Sequence, residues 1–151
     1  MGPRTNNFTL KRTSGPIDSR VVFKRALNSL SDAISESNAA VEIGALPQVT
    51  IAESHLLQLF ENIVGNALKY RGYWPPYIRA HSRKDGIFCE FSIEDNGIGI
   101  ESQYTERVFD PYWTGTSLTT CKHIVEGYGG RIWVHSELNQ GATFFFTIPS
   151  A

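Results

Sequence analysis

Residues 53–70 read Glu53-Ser54-His55-Leu56-Leu57-Gln58-Leu59-Phe60-Glu61-Asn62-Ile63-Val64-Gly65-Asn66-Ala67-Leu68-Lys69-Tyr70, and their periodicity sets the frame for the whole chain. At about 100° per residue, Leu56, Leu59, Phe60, Ile63, Val64 and Ala67 fall on one face, the pattern of an amphipathic helix packed on a core. Beside that face runs a stripe of His55, Gln58, Asn62, Asn66 and Lys69, with Gly65 next to it. Asn62 and Asn66 stand one helical turn apart, although asparagine is a mediocre helix former. A solvated polar face accounts for the stripe. So does a set of neutral oxygen ligands for a hard divalent cation, with Lys69 a turn away for phosphate oxygens.

Upstream, Asp18 or Ser19 is placed to cap a helix in which Phe23, Ala26, Leu27, Leu30, Ala33 and Ile34 recur at helical spacing. Residues 40–43 and 48–51 read as short strands. Residues 1–16 carry little periodicity and hold Gly2, Pro3, Gly15 and Pro16, so they are expected to be a tail or linker, with a short strand at residues 7–11. Downstream, strands are expected at 77–83 and 87–94, with Ile87, Cys89, Phe91 and Ile93 on one face. A glycine loop follows, then a short helix to about Val108, the aromatic run Phe109-Asp110-Pro111-Tyr112-Trp113, and a helix from about Thr116 with Leu118, Cys121, Ile124 and Val125 inward. The chain closes in a hairpin, residues 131–137 and 142–149 around Asn139-Gln140-Gly141. Strands that outnumber helices, with an antiparallel final pair, imply an α/β two-layer sandwich: a mixed sheet covered on one face by helices. The folded domain is expected to cover residues 17–151.

The composition bounds the partners. A chain of 151 residues, 41% apolar and 19% charged, is enough for one compact soluble domain. A net charge of −1 offers no basic field for nucleic acid or anionic lipid, and no stretch has the length of a membrane span. Two cysteines, Cys89 and Cys121, both at apolar positions, read as buried thiols in a reducing compartment, which points to the cytoplasm.

Two further constellations stand out. Asp95-Asn96-Gly97-Ile98-Gly99-Ile100 directly follows a strand; its alternate glycines open backbone angles closed to other residues and let a planar ligand approach. A carboxylate at the strand end can accept from an exocyclic amine such as that of adenine, though a plain turn explains the glycines equally well. Thr114-Gly115-Thr116-Ser117-Leu118 opens a helix, where N–H groups and hydroxyls can hold an anion or simply cap the helix.

Taken in order, these segments resemble the histidine kinase/gyrase/chaperone ATPase superfamily. Residues 62–67 resemble its N box, and residues 95–100 are similar to its first glycine box. Phe109 and Tyr112 resemble the F box, Gly115 to Leu118 a reduced second glycine box, and residues 141–144 the closing strand. Gyrase-like and chaperone-like members carry a glutamate base one turn before the metal-binding asparagine. Asn62 holds that place here and cannot take a proton, while Glu61 points about 100° away. In this the chain resembles the sensor histidine kinases, and residues 68–71, residues 103–104 with 106–109, and Cys121-Lys122 before Ile124-Val125-Glu126 resemble the phytochrome-type subgroup.

The resemblance implies a Bergerat-type fold and a set of roles. Asn66 would hold Mg²⁺ with Asn62 alongside, and Lys69 would reach the phosphates of ATP. Tyr70 would pack near the nucleotide, Asp95 would read the adenine amine, and Gly97 and Gly99 would let the base settle. Ile98, Ile100, Phe109, Gly115, Thr116, Ser117 and Leu118 would complete the nucleotide site, and Thr143 would bond near Asp95 through water. The implied reaction passes the γ-phosphoryl group of ATP to a histidine on dimerisation helices absent from this chain, and onward to a response regulator. None of His55, His81, His123 and His135 lies in an acceptor-type helix.

The chain departs from the family pattern at three places. Only Trp113 and Thr114 separate Tyr112 from Gly115, where these kinases carry a much longer lid; Ser117 replaces a glycine; and Ala52 stands where a capping aspartate is common. A lid excludes water and fastens the triphosphate, so its loss implies retained adenine recognition with weaker triphosphate binding and transfer. The alternative is a weakly active or inactive regulatory module on the same fold that binds a protein partner.

Overall fold

The computed structural model describes residues 15–111 and 117–151. The elements, in chain order, are β1 (Pro16–Asp18), α1 (Ser19–Ser29), α2 (Ser31–Ser37), β2 (Ala40–Ile43), β3 (Gln48–Thr50), α3 (Glu53–Lys69), β4 (Tyr77–Asp85), β5 (Phe88–Asp95), α4 (Ser117–Gly127), β6 (Ile132–Ser136) and β7 (Ala142–Pro149). Strands β2-β4-β5-β7-β6 form one sheet, parallel between β2 and β4 and antiparallel elsewhere. A small antiparallel pair, β1 with β3, joins the end of β7 through the Val49–Ser150 bridge. Helices cover one face of the sheet, as the sequence implied. Among the described residues no helix is long and apolar enough to cross a membrane.

The buried face of α3 comprises Leu56, Leu59, Phe60, Ile63, Val64, Ala67 and Leu68, one residue more than the periodicity alone supplied. Phe60 is the hub of the core. Its ring meets Phe23 of α1 edge-on at 5.0 Å and lies 6.0 and 6.1 Å from Phe91 and Phe146 on the sheet, which stack on each other at 5.1 Å. Such aromatic contacts add about 0.5–1.5 kcal/mol per pair beyond burial alone.

Several local expectations change. The single helix expected over 19–34 breaks at Leu30, whose backbone (φ −104, ψ 15) leaves helical geometry and whose N–H is shared between the Ala26 (3.2 Å) and Leu27 (3.1 Å) carbonyls. Pro16, expected in the tail, pairs with Thr50 in β1. Ile87 leaves the inward face of β5: it sits in the tight turn after Gly86 (φ 64) and is 76% exposed. The short helix expected before Val108 is two single 3₁₀ turns, Ser102–Tyr104 and Arg107–Phe109. Ile124 is only partly buried. The strand expected at residues 7–11 lies outside the described residues. Ala52 supplies no side-chain cap to α3; the Tyr128 hydroxyl at the end of α4 accepts from the Ala52 N–H instead (3.1 Å) and contacts His55 Nδ1 at 2.7 Å.

Candidate functional site

Antiparallel pairing of β5 with β7 ends where Asp95 faces Ala142. Beyond that point the chain turns sharply, and the Gly97 N–H donates to Asp95 Oδ1 at 2.8 Å. The glycine loop is held on both sides. Ile98 N–H donates to the Tyr70 carbonyl at the end of α3 (3.1 Å), and the Ile98 carbonyl accepts from the Asn139 N–H in the β6–β7 turn (2.6 Å). Asn96 fastens the preceding loop, accepting from the Tyr77 N–H (2.8 Å) and donating to the Pro75 carbonyl (3.1 Å).

The glycines are explained by these contacts. A Cβ on Gly97 would lie 2.6 Å from the Tyr70 carbonyl oxygen and 2.9 Å from Asp95 Oδ1. Gly99 has φ +74, and a Cβ there would collide with the Glu137 carbonyl. The room that the sequence assigned to a ligand base is taken first by the protein's own backbone, which packs the loop between α3 and the final hairpin.

Between α3, the glycine loop and the hairpin lies a cleft of about 340 Å³, within the usual range for small-molecule sites. The structure brings Asn66, Tyr70, Asp95, Ile98, Gly99, Ile100 and Leu118 together on its walls. It adds residues that the motifs did not mark: Ala67, Glu101, Tyr104, Val108, Leu138, Ala142 and Phe144. Strand alternation carries the signal for Ala142 and Phe144; nothing in the sequence marks Leu138. Burial raises the Asp95 carboxyl above the ordinary carboxylate range, opposed by the N–H groups of Gly97 and Ala142. Among the described residues the Asn66 carboxamide makes no side-chain hydrogen bond, so its oxygen is available.

Other expected site residues stand elsewhere. Asn62 does not line the cleft. Its Nδ2 donates to the Ser117 carbonyl at 3.2 Å, so it ties α3 to the start of α4, and Ser117 acts there through its backbone. Lys69 is exposed beside the cleft with its ammonium 5.2 Å from the Tyr70 ring. Phe109 is core: it packs edge-on against Phe144, and its carbonyl accepts from Thr119 Oγ1 (2.7 Å). Thr143 is the clearest correction. The register pairs it with Glu94, and strand alternation turns it to the face opposite Ala142 and Phe144, away from Asp95. Gly115, Thr116 and Tyr112 lie outside the described residues. Glu61, the carboxylate next to Asn62, is engaged by the Ser29 hydroxyl of α1 (2.6 Å), on a different side of the helix from the cleft.

Known proteins resemble this chain in sequence and in fold. The chain is 37% identical over 142 residues to phytochrome-like protein Cph1 of Synechocystis sp. (strain ATCC 27184 / PCC 6803 / Kazusa), an alignment covering 87% of this chain and 19% of that protein. It is 41% identical over 135 residues to cyanobacterial phytochrome A of Nostoc sp. (strain PCC 7120 / SAG 25.82 / UTEX 2576), covering 83% of this chain and 18% of that one. The chain thus spans about a fifth of the length of these curated relatives. Full-length ShkA, solved in complex with AMPPNP, superposes with a TM-score of 0.79 at 27% identity, over 91% of this chain and 31% of that one. The profile of the family described as "Histidine kinase-, DNA gyrase B-, and HSP90-like ATPase" matches residues 51–151. From the N-box helix to its end, the chain belongs to that ATPase family.

Proposed function

We propose that this domain binds ATP with Mg²⁺ in the cleft and serves as the catalytic domain of a sensor histidine kinase. The observation that carries the proposal is the pairing, on one cleft, of a partly buried carboxylate at a strand end with an α3 carboxamide that has no hydrogen-bond partner among the described residues. Asp95 presents Oδ2 to the exocyclic amine of adenine while Oδ1 stays with the Gly97 N–H. Ile98, Ile100, Val108 and Phe144 supply the apolar surface that a purine ring requires. Asn66 fits the ion: a neutral carboxamide oxygen at the cleft wall suits a hard cation that takes few protein ligands. Mg²⁺, when bound, would neutralise charge on the phosphate oxygens.

In the reaction, the bond from the γ-phosphorus to the β-phosphate oxygen breaks, a bond to an imidazole nitrogen of the acceptor histidine forms, and ADP leaves. The protein contributes position and charge rather than a base. Asn62 occupies the place of a base and is committed to Ser117. Glu61 is held by Ser29, and Glu101 sits exposed at the rim. That arrangement favours transfer to histidine over transfer to water. The acceptor histidine comes from helices outside this chain, with a response regulator receiving the phosphoryl group next.

Titration calorimetry with ADP and AMPPNP, each with and without Mg²⁺, tests the assignment. Mg²⁺-enhanced binding with negligible phosphate release from ATP is expected. Absence of binding to both nucleotides refutes a nucleotide site, and sustained ATP hydrolysis without an acceptor refutes the kinase branch.

A further inference from the structure

Leu138 is a large aliphatic side chain that lines the cleft and that the fold leaves 52% exposed; Ile98, on the adjoining glycine loop, lines it too and is 42% exposed. Neither position is loose. Within the turn the Gln140 N–H donates to the Glu137 carbonyl at 3.0 Å, and Asn139 adopts φ 65, which puts Leu138 at the first corner of a four-residue turn. The turn is joined to the glycine loop by the Asn139–Ile98 hydrogen bond at 2.6 Å. Ser136 adds two more links: its Oγ accepts from the Ile100 N–H (2.7 Å) and donates to the Gly141 carbonyl (2.7 Å). The side chains of Leu138 and Ile98 therefore stand on one rigid wall. That wall belongs to the end of the cleft closed by Asp95, since the turn runs directly into Ala142, the partner of Asp95 across the strands.

We propose that Leu138 is a specificity-determining contact, packing with Ile98 against the purine ring of a bound adenine nucleotide. The proposal rests on the nucleotide reading above and adds to it a residue that the motifs do not mark. Asp95 satisfies the polar edge of the ring, but a flat ring also needs apolar cover on its faces. A preorganised leucine provides that cover with little loss of conformational entropy on binding. Its 52% exposure means that the core does not depend on it.

Calorimetry on the wild type and on Leu138→Ser, with ADP and AMPPNP with and without Mg²⁺, and with adenosine as competitor, tests this contact. Losing a half-exposed leucine from a ligand interface should weaken all three by about three- to tenfold. The enhancement by Mg²⁺ should be unchanged, because the contact is to the base, and Leu138→Met should stay within about twofold of the wild type. Thermal unfolding of both variants should match the wild type closely. Unchanged affinity in Leu138→Ser overturns the proposal, as does a loss confined to the phosphorylated ligands; either result leaves the nucleotide reading standing. A wild type that binds none of the three overturns that reading itself, and this proposal with it.

Discussion

Replacing Asp95 by Asn separates the role of the carboxylate charge from that of the loop it organises. An asparagine keeps an oxygen where Oδ1 accepts from the Gly97 N–H at 2.8 Å, so the glycine loop should keep its shape. What changes is the atom presented to the ligand. A hydrogen bond to a charged acceptor is worth about 1.5–3 kcal/mol, and an amide NH₂ facing an amine leaves a donor unsatisfied at roughly 1 kcal/mol more. Together these amount to about 2.5–4 kcal/mol, or roughly a 60- to 700-fold loss in ADP affinity at 1.4 kcal/mol per tenfold. Stability should move the other way. Burial raises the folded-state pKa of Asp95 above its unfolded value, so its contribution is present in acid and is lost as pH rises through the folded value. Wherever the carboxylate is ionised in the fold its desolvated charge is a burden that the amide removes, and the variant should melt at or above the wild-type temperature. Calorimetry with ADP, paired with thermal unfolding at pH 7, reads both effects. ADP affinity within about threefold of wild type would refute the assignment of Asp95 to the base; a marked loss of stability would refute the electrostatic reasoning.

Asn66→Ala should remove most of the Mg²⁺-dependent gain in AMPPNP affinity while leaving Mg²⁺-free ADP binding nearly intact, whereas Asn62→Ala should lower stability by about 1 kcal/mol through loss of the bond to Ser117, as read by urea unfolding. Gly99→Ala forces a side chain into a left-handed backbone and against the Glu137 carbonyl, so a loss of at least about 2 kcal/mol is expected in the same assay. Burial pushes the Cys121 thiol up to about 12 and raises Cys89 as well, so a thiol reagent at pH 8 should react slowly with the native protein and rapidly in denaturant.

The buried face of α3, the strands flanking the glycine loop and the layered α/β class were legible in the sequence, because each rests on local periodicity: 3.6 residues per helical turn and two per strand repeat. The ordered motifs also carried the family and singled out Asn66, Tyr70 and Asp95, which line one cleft. Periodicity states which face a residue occupies and is silent on what that face meets. Asn62 and Asn66 share a stripe, yet only the packing of α4 against α3 decides that one amide is bonded to Ser117 while the other has no partner among the described residues. Thr143 and Ala142 are neighbours, and only the register with β5 decides that alanine, not threonine, stands opposite Asp95. Leu138 carries no sequence signal because its position depends on a turn bonded to a loop some forty residues earlier. The sequence by itself determined the elements and their chemistry; the tertiary structure decided which of those groups face the cleft, because facing is a property of two packed surfaces and not of one chain segment.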